Sequence, residues 1–468
     1  MATVPATLRA LWACAYRWPS APSSDESSKK TSRPPEQFAL FGHVVKWLVL
    51  ATAVGALSGS ASAVLLVALD AATTTREAHR WLVWMMPVAG FAVGWIYLRV
   101  GQSVEAGNNL LIDEIHDPQR VIPLRMAPLI LFGTVVSHLF GASVGREGTA
   151  VQMGGALADQ ITRAFKLSAP QRRILLMAGI SAGFASVFGT PLAGALFGLE
   201  VLAIGRMRYE ALLACVVAAV VGDQATTWWG VHHTHYAAGV VPALTVWTLT
   251  ATLIAGGIFG VVGMIFADAS HRLSAFVKRH IVCAPLRSLI GGTLIAAALW
   301  RFNAWQYAGL GIPSIVEAFV KPSAPWDFAA KMAFTVASLG TGFKGGEVTP
   351  LFYIGATLGN ALAPVLQMPI PLLAALGFVG VFAGAANTPW ACTLMAIELF
   401  GAPIGIYAAV ACVVSYLFSG HTGIYRAQRV GISKHRHYPE GLKLGDVQAY
   451  RDATPPGQSL PLSPPGKD

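Results

Sequence analysis

Charge is scarce in this chain. Of its 468 residues only 12% are Asp, Glu, Lys or Arg, about half the share a soluble globular chain carries. The formal net charge of +10 sits mostly in the ends and the short connections. It therefore reads as a topology signal, with nucleic-acid binding a poor second. Cysteine is scarce as well. Cys14, Cys215, Cys283, Cys392 and Cys412 are scattered and odd in number, so neither a disulfide framework nor a zinc site is implied. Residues 1–40 lack the apolar core of a signal peptide. Walker A and HExxH signatures and paired aspartates at helix depth are missing. An intramembrane enzyme is thereby a weak reading, and no cofactor is called for.

What the chain has instead is apolar sequence. Hydrophobic residues make up 54% and the mean hydropathy is +0.56, which implies an all-α polytopic membrane protein. Its 48 glycines suit close helix packing and broken helices. Apolar runs over 44–69, 81–100, 122–144, 174–204, 211–221, 244–267, 286–304, 371–400 and 404–418 supply spans. Residues 150–161 and 351–366 are too short for a core of about 30 Å and read as half-helices inside protein. Residues 163–173 carry Arg163, Lys166, Arg172 and Arg173 with no acid, which places that loop in the cytoplasm. The 1–40 segment is polar and Pro/Ser-rich, with a possible surface helix near 8–16, and reads as a cytoplasmic tail. The 426–468 segment reads as a second one.

Two stretches repeat. Gly145-Arg146-Glu147-Gly148-Thr149 falls on Gly345-Gly346-Glu347-Val348-Thr349, and further on Gly155-Ala156 falls on Gly355-Ala356. A second pair, Thr190-Pro191 with Glu200 and Thr388-Pro389 with Glu398, recurs at nearly the same spacing. Two homologous halves follow, 41–230 and 240–425, and they are expected to be inverted relative to the membrane. Each Thr-Pro pair marks a helix start, with Thr as the cap and Pro at the first position. Glu200 and Glu398 read as helix-end or interface carboxylates that face opposite sides.

A carboxylate at membrane depth is a functional-site hypothesis by default. In a repeat-built transporter the site lies at the junction, where helix N-termini hold an anion with few full charges. The candidate starts are Gly107-Asn108-Asn109, Gly145 to Gly148 and Gly345 to Thr349. Their glycines allow close backbone approach, and Asn and Thr side chains add donors. Ionised Glu147 can occupy an anion position and leave when protonated, so one group can be both gate and proton carrier. Glu347 is a second titratable candidate, or a helix cap. Asn108 either caps its helix or contacts the ion. Lys344 either balances the local acids or snorkels. His232-His233-Thr234-His235 has metal-like composition but no visible fourth ligand, and reads as a solvated loop.

Gly145-Arg146-Glu147-Gly148 followed by Val151-Gln152 resembles the CLC family of anion channels and proton-coupled antiporters, over roughly residues 40–430. The resemblance implies two inverted halves with broken helices, a homodimer, and a gating role for Glu147. It also makes Tyr425, in Gly423-Ile424-Tyr425, the tyrosine lining the anion path. Chloride-handling members usually carry Gly-Ser-Gly-Ile-Pro where this chain has Gly107-Asn108-Asn109-Leu110-Leu111. Where they have Gly-x-Phe-x-Pro, this chain has Gly346-Glu347-Val348-Thr349-Pro350. The usual inner proton glutamate is missing, since Glu200 is followed by Val201. These departures are similar to the fluoride/proton antiporter branch. The implied anion-binding set is Gly107, Asn108, Gly145, Arg146, Gly148, Gly346, Val348, Thr349 and Tyr425. Glu147 and Glu347 are the gating and proton-coupling groups. The resemblance implies fluoride export by fluoride/proton antiport across a bacterial-type inner membrane, with both tails cytoplasmic. The alternative is a chloride channel or chloride/proton antiporter.

Overall fold

The apolar runs form helices whose order and relative length recur. The computed structural model describes residues 36–234 and 236–453. The first half contains α1 (Glu36–Ala78), α2 (Met86–Ile96), α3 (Asn108–His116), α4 (Met126–Leu139), α5 (Glu147–Ala164), α6 (Ala169–Phe188), α7 (Pro191–Glu200) and α8 (Leu212–Trp228). The second contains α9 (Val246–His280), α10 (Ala284–Arg301), α11 (Ile312–Ala318), α12 (Asp327–Gly340), α13 (Val348–Leu366), α14 (Ile370–Ala386), α15 (Pro389–Phe400) and α16 (Gly405–Phe418). Among the described residues, five helical stretches are long and apolar enough to cross a membrane, including Leu40–Ala78 and Val246–His280. The expected surface helix near 8–16 and His235 lie outside the described residues. Residues 36–40 already belong to α1.

The halves share a packing device. α5 lies on α6 through Gly154 and Gly179: a Cβ on Gly154 would stand 2.3 Å from the Gly179 carbonyl oxygen. α13 lies on α14 in the same way, where a Cβ on Gly355 would stand 2.0 Å from the Gly377 carbonyl oxygen. Backbones this close replace the missing hydrophobic drive between helices in lipid with dispersion contact. The stretch read as a half-helix over 150–161 is longer than expected, an 18-residue α5. Its polar end is bonded into protein: Arg172 Nε lies 2.7 Å from Asp159 Oδ1, and Arg172 also reaches Glu114 and the Arg120 carbonyl.

The Thr-Pro helix starts are present at α7 and α15, but neither threonine caps its helix. The caps cross between the halves. Glu398 at the end of α15 accepts the Leu192 and Ala193 N–H groups at 2.9 and 2.8 Å. Glu200 at the end of α7 accepts the Trp390 and Ala391 N–H groups at 3.1 and 2.8 Å. A carboxylate satisfies two orphan donors and meets the positive helix end, which a hydroxyl does less well. The reciprocal caps require α7 and α15 to run antiparallel, so the two glutamates stand at opposite ends of the pair. This is the inverted repeat expected from the sequence.

Much of the second tail folds onto the body. β1 (Ala203–Ile204) pairs in parallel with β2 (Arg429–Val430), and a short α17 (Val447–Ala453) follows. Gln428 donates to the Val201 and Ala386 carbonyls. Arg429 pairs with Asp117, while Arg173 donates to the His116 carbonyl. The tail and the cationic 163–173 loop therefore share one face of the molecule.

Candidate functional site

The two Gly-rich stretches meet. Gly145 and Gly346 form an antiparallel bridge, each donating its N–H to the other's carbonyl, at 2.5 and 2.8 Å. This brings the N-termini of α5 and α13 together in the interior. It also corrects one expectation: these two N–H groups are taken up by each other and are not left for an anion. The Gly107 N–H is likewise bonded, to the Val104 carbonyl at 3.1 Å. These three glycines shape the site, while the first turns of α5 and α13, at Gly148 and Val348, carry N–H groups that have no acceptor within their own helix.

Glu147 is fully buried, and its carboxylate sits on the start of α13. Oε2 accepts the Thr349 N–H at 3.0 Å and the Arg146 N–H at 3.2 Å. Oε1 accepts the Thr349 hydroxyl and lies 3.5 Å from Arg146 Nε. A helix N-terminus, a hydroxyl and a guanidinium edge form a donor set that fits an anion. Here the protein's own carboxylate fills it.

Spaces open on either side of this contact. Arg146 lines a vestibule of about 890 Å³ together with Arg76, Arg80, His232 and His233. Asn108, Gln152, Lys344, Glu347 and Tyr425 line a smaller cavity of about 180 Å³. Asn108 and Glu347 converge on Gly148: a Cβ there would stand 3.0 Å from Asn108 Nδ2 and 3.9 Å from Glu347 Oε2. Asn108 does not cap α3, whose N-cap is Gly107, and its buried Oδ1 has no partner among the described residues. Asn109 instead binds the chain beyond Tyr425, accepting the Ala427 N–H at 2.9 Å.

Asn108, Glu347 and Tyr425 thus share one cavity, as expected. Thr349 and Glu147 do not line it; their side chains are turned to each other. Arg146 faces the vestibule, not this cavity. His233 is not a free loop residue, since it packs over Gly189 and its Nε2 lies 3.6 Å from Asp223. Gln152 lines the cavity against Gly107 and was missed as a site residue. The signal was available: it is an amide one turn beyond Gly148 and one turn before Gly155 and Ala156.

The family model described as voltage gated chloride channel matches residues 89–420. A chloride/fluoride channel protein of Pseudomonas syringae pv. tomato is 63% identical over 425 residues, covering 89% of this chain and 94% of that protein. The chain belongs to the CLC family of voltage-gated chloride channels. A CLC-type fluoride/proton antiporter of known crystal structure superposes with a TM-score of 0.81 at 33% identity, over 84% of this chain and 99% of that one. A slow cyanobacterial Cl⁻/H⁺ antiporter shares the fold, with a TM-score of 0.72 at 20% identity over 80% of this chain and 94% of its own. As a CLC protein, the chain is an integral multi-pass membrane anion transporter. That accounts for a junction built from helix ends with so few charged side chains.

Proposed function

We propose that this CLC protein exports fluoride from the cytoplasm in exchange for protons. The observation that carries the reading is the seat of Glu147. Its carboxylate takes the Thr349 N–H and hydroxyl, donors that would otherwise hold a small anion. Ionised, Glu147 blocks the path; protonated, it loses the charge that seats it and leaves the donors to the anion. One group then gates the anion and carries the proton.

The cavity behind the seat suits fluoride. A dehydrated fluoride must recover strong hydrogen bonds, and Asn108, Gln152 and Tyr425 line that space with polar groups. Glu347 beside them is a second group able to take a proton. The similarity to a fluoride/proton antiporter at 33% identity supports the same reading. The shared face of the second tail and the cationic 163–173 loop supports a cytoplasmic location for both. Homodimeric assembly is proposed from family membership.

The relative named a chloride/fluoride channel protein keeps a chloride-conducting reading in view. Paired fluoride and chloride efflux from the same proteoliposomes, with pH recorded, separates the two. Fluoride flux with stoichiometric proton counterflow and little chloride flux is expected. Chloride flux equal to fluoride flux, or fluoride flux without proton movement, would overturn the proposal.

A further inference from the structure

Lys344 stands at the cavity wall and has no part in the gating scheme. It is the only cation among the described residues that line this space, where the charged company is Glu105 and Glu347. Two carboxylates repel an entering anion, so the cavity needs a compensating charge. Lys344 is built to supply one. Its stem lies against α4 at a residue with no side chain: a Cβ on Gly133 would stand 2.9 Å from Lys344 Cβ and 3.0 Å from Cγ. Its ammonium sits 4.1 Å from the centre of the Tyr97 ring.

The partner matters. An ammonium in an ion pair is neutralised by its carboxylate. An ammonium on an aromatic face is held by the ring quadrupole while its full charge stays available to the space around it. Within the membrane-embedded body that charge is weakly screened and acts over the width of the cavity.

Resting on the reading of this cavity as the anion site, we propose that Lys344 is the residue that draws the anion into it, with Tyr97 and Gly133 fixing the ammonium at the wall. Lys344 acts on anion entry and leaves proton transfer at Glu147 alone. Its removal therefore changes the anion concentration needed for transport far more than the limiting rate.

The test is initial anion efflux against internal anion concentration, using the full chain in liposomes, with fluoride and chloride run in parallel and pH recorded. Lys344→Gln is expected to raise the KM for the transported anion about tenfold, the scale for losing a unit charge one cavity width away. The limiting rate and the proton-to-anion ratio should stay within about twofold. Lys344→Arg, which keeps the charge, should hold KM within about threefold of the parent. Tyr97→Leu keeps the lysine but removes its ring, and should raise KM severalfold; it carries the test if Lys344→Gln does not reconstitute. A parent-like KM in Lys344→Gln, or a Lys344→Arg protein as impaired as Lys344→Gln, would overturn the assignment. If the parent moves neither anion, the reading of the cavity falls, and Lys344 with it. If the parent transports and Lys344→Gln matches it, only the role of Lys344 falls.

Discussion

Thr349→Val isolates the strength of the Glu147 seat. The substitution conserves volume and leaves the backbone in place, so Glu147 Oε2 still accepts the Thr349 N–H at 3.0 Å and the Arg146 N–H at 3.2 Å. What is lost is the hydroxyl bond to Oε1, leaving that oxygen only the Arg146 Nε contact at 3.5 Å. A hydrogen bond to a charged group is worth about 1.5–3 kcal/mol, so the balance between seated and released Glu147 should move roughly ten- to a hundredfold towards release. The remaining donors keep the seat populated part of the time, which predicts a leaky exchanger and not a dead one. In proteoliposomes, Thr349→Val should pass several times more fluoride per proton than the parent. Thr349→Ser restores the hydroxyl and should stay near the parent ratio. A Thr349→Val protein with parent coupling, or a Thr349→Ser protein as leaky as Thr349→Val, would refute the reasoning.

Three further outcomes are expected. Asn108→Ser, by removing the amide Nδ2 donor that stands at Gly148, should relax discrimination against chloride by roughly ten- to a hundredfold; paired fluoride and chloride efflux reads this, and a parent-like ratio counts against Asn108. Gly359→Ala would place a Cβ 1.9 Å from the Leu373 carbonyl oxygen and force α13 off α14, so it should lower the detergent melting temperature markedly, whereas an unchanged value would contradict the close seam. His421 anchors the folded part of the tail by accepting the Lys434 N–H at 3.1 Å. Burial first, then Lys434, His435, Arg451 and Arg436, push it down from 6.5 to about 4. Its neutral form is the folded one, so its contribution is complete above pH 6.5 and is lost as pH falls from there towards and below 4. Amide protection across 421–447, corrected for the fall of intrinsic exchange with pH, should drop over that window in the parent and not in His421→Gln.

The inverted architecture was legible because the two Glu motifs and the two Thr-Pro motifs keep nearly one spacing. The meeting of α5 and α13 followed from Glu147 matching Glu347. The pairing inside that meeting was not legible. Which N–H groups remain open depends on the Gly145–Gly346 bridge, and no local pattern announces a two-residue bridge between distant segments. The same limit applies to Thr190 and Thr388. Local propensity favours threonine as the cap, while the fold brings a stronger acceptor from the other half. Thr349 was placed with the anion because its type suits a donor; the structure turns it to Glu147, the anion already present. Lys344 was ambiguous in sequence because its partner, the Tyr97 ring, lies in a distant segment just beyond α2.

The central claim is that Glu147 is both the gate and the proton carrier. Glu147→Gln tests it most directly, because an amide of the same shape cannot exchange a proton. It also turns an NH₂ group towards donors that a carboxylate accepts from. With a fluoride gradient imposed on proteoliposomes, the parent should drive proton uptake, and Glu147→Gln should pass fluoride with none. Proton uptake by Glu147→Gln at the parent's ratio would contradict the account.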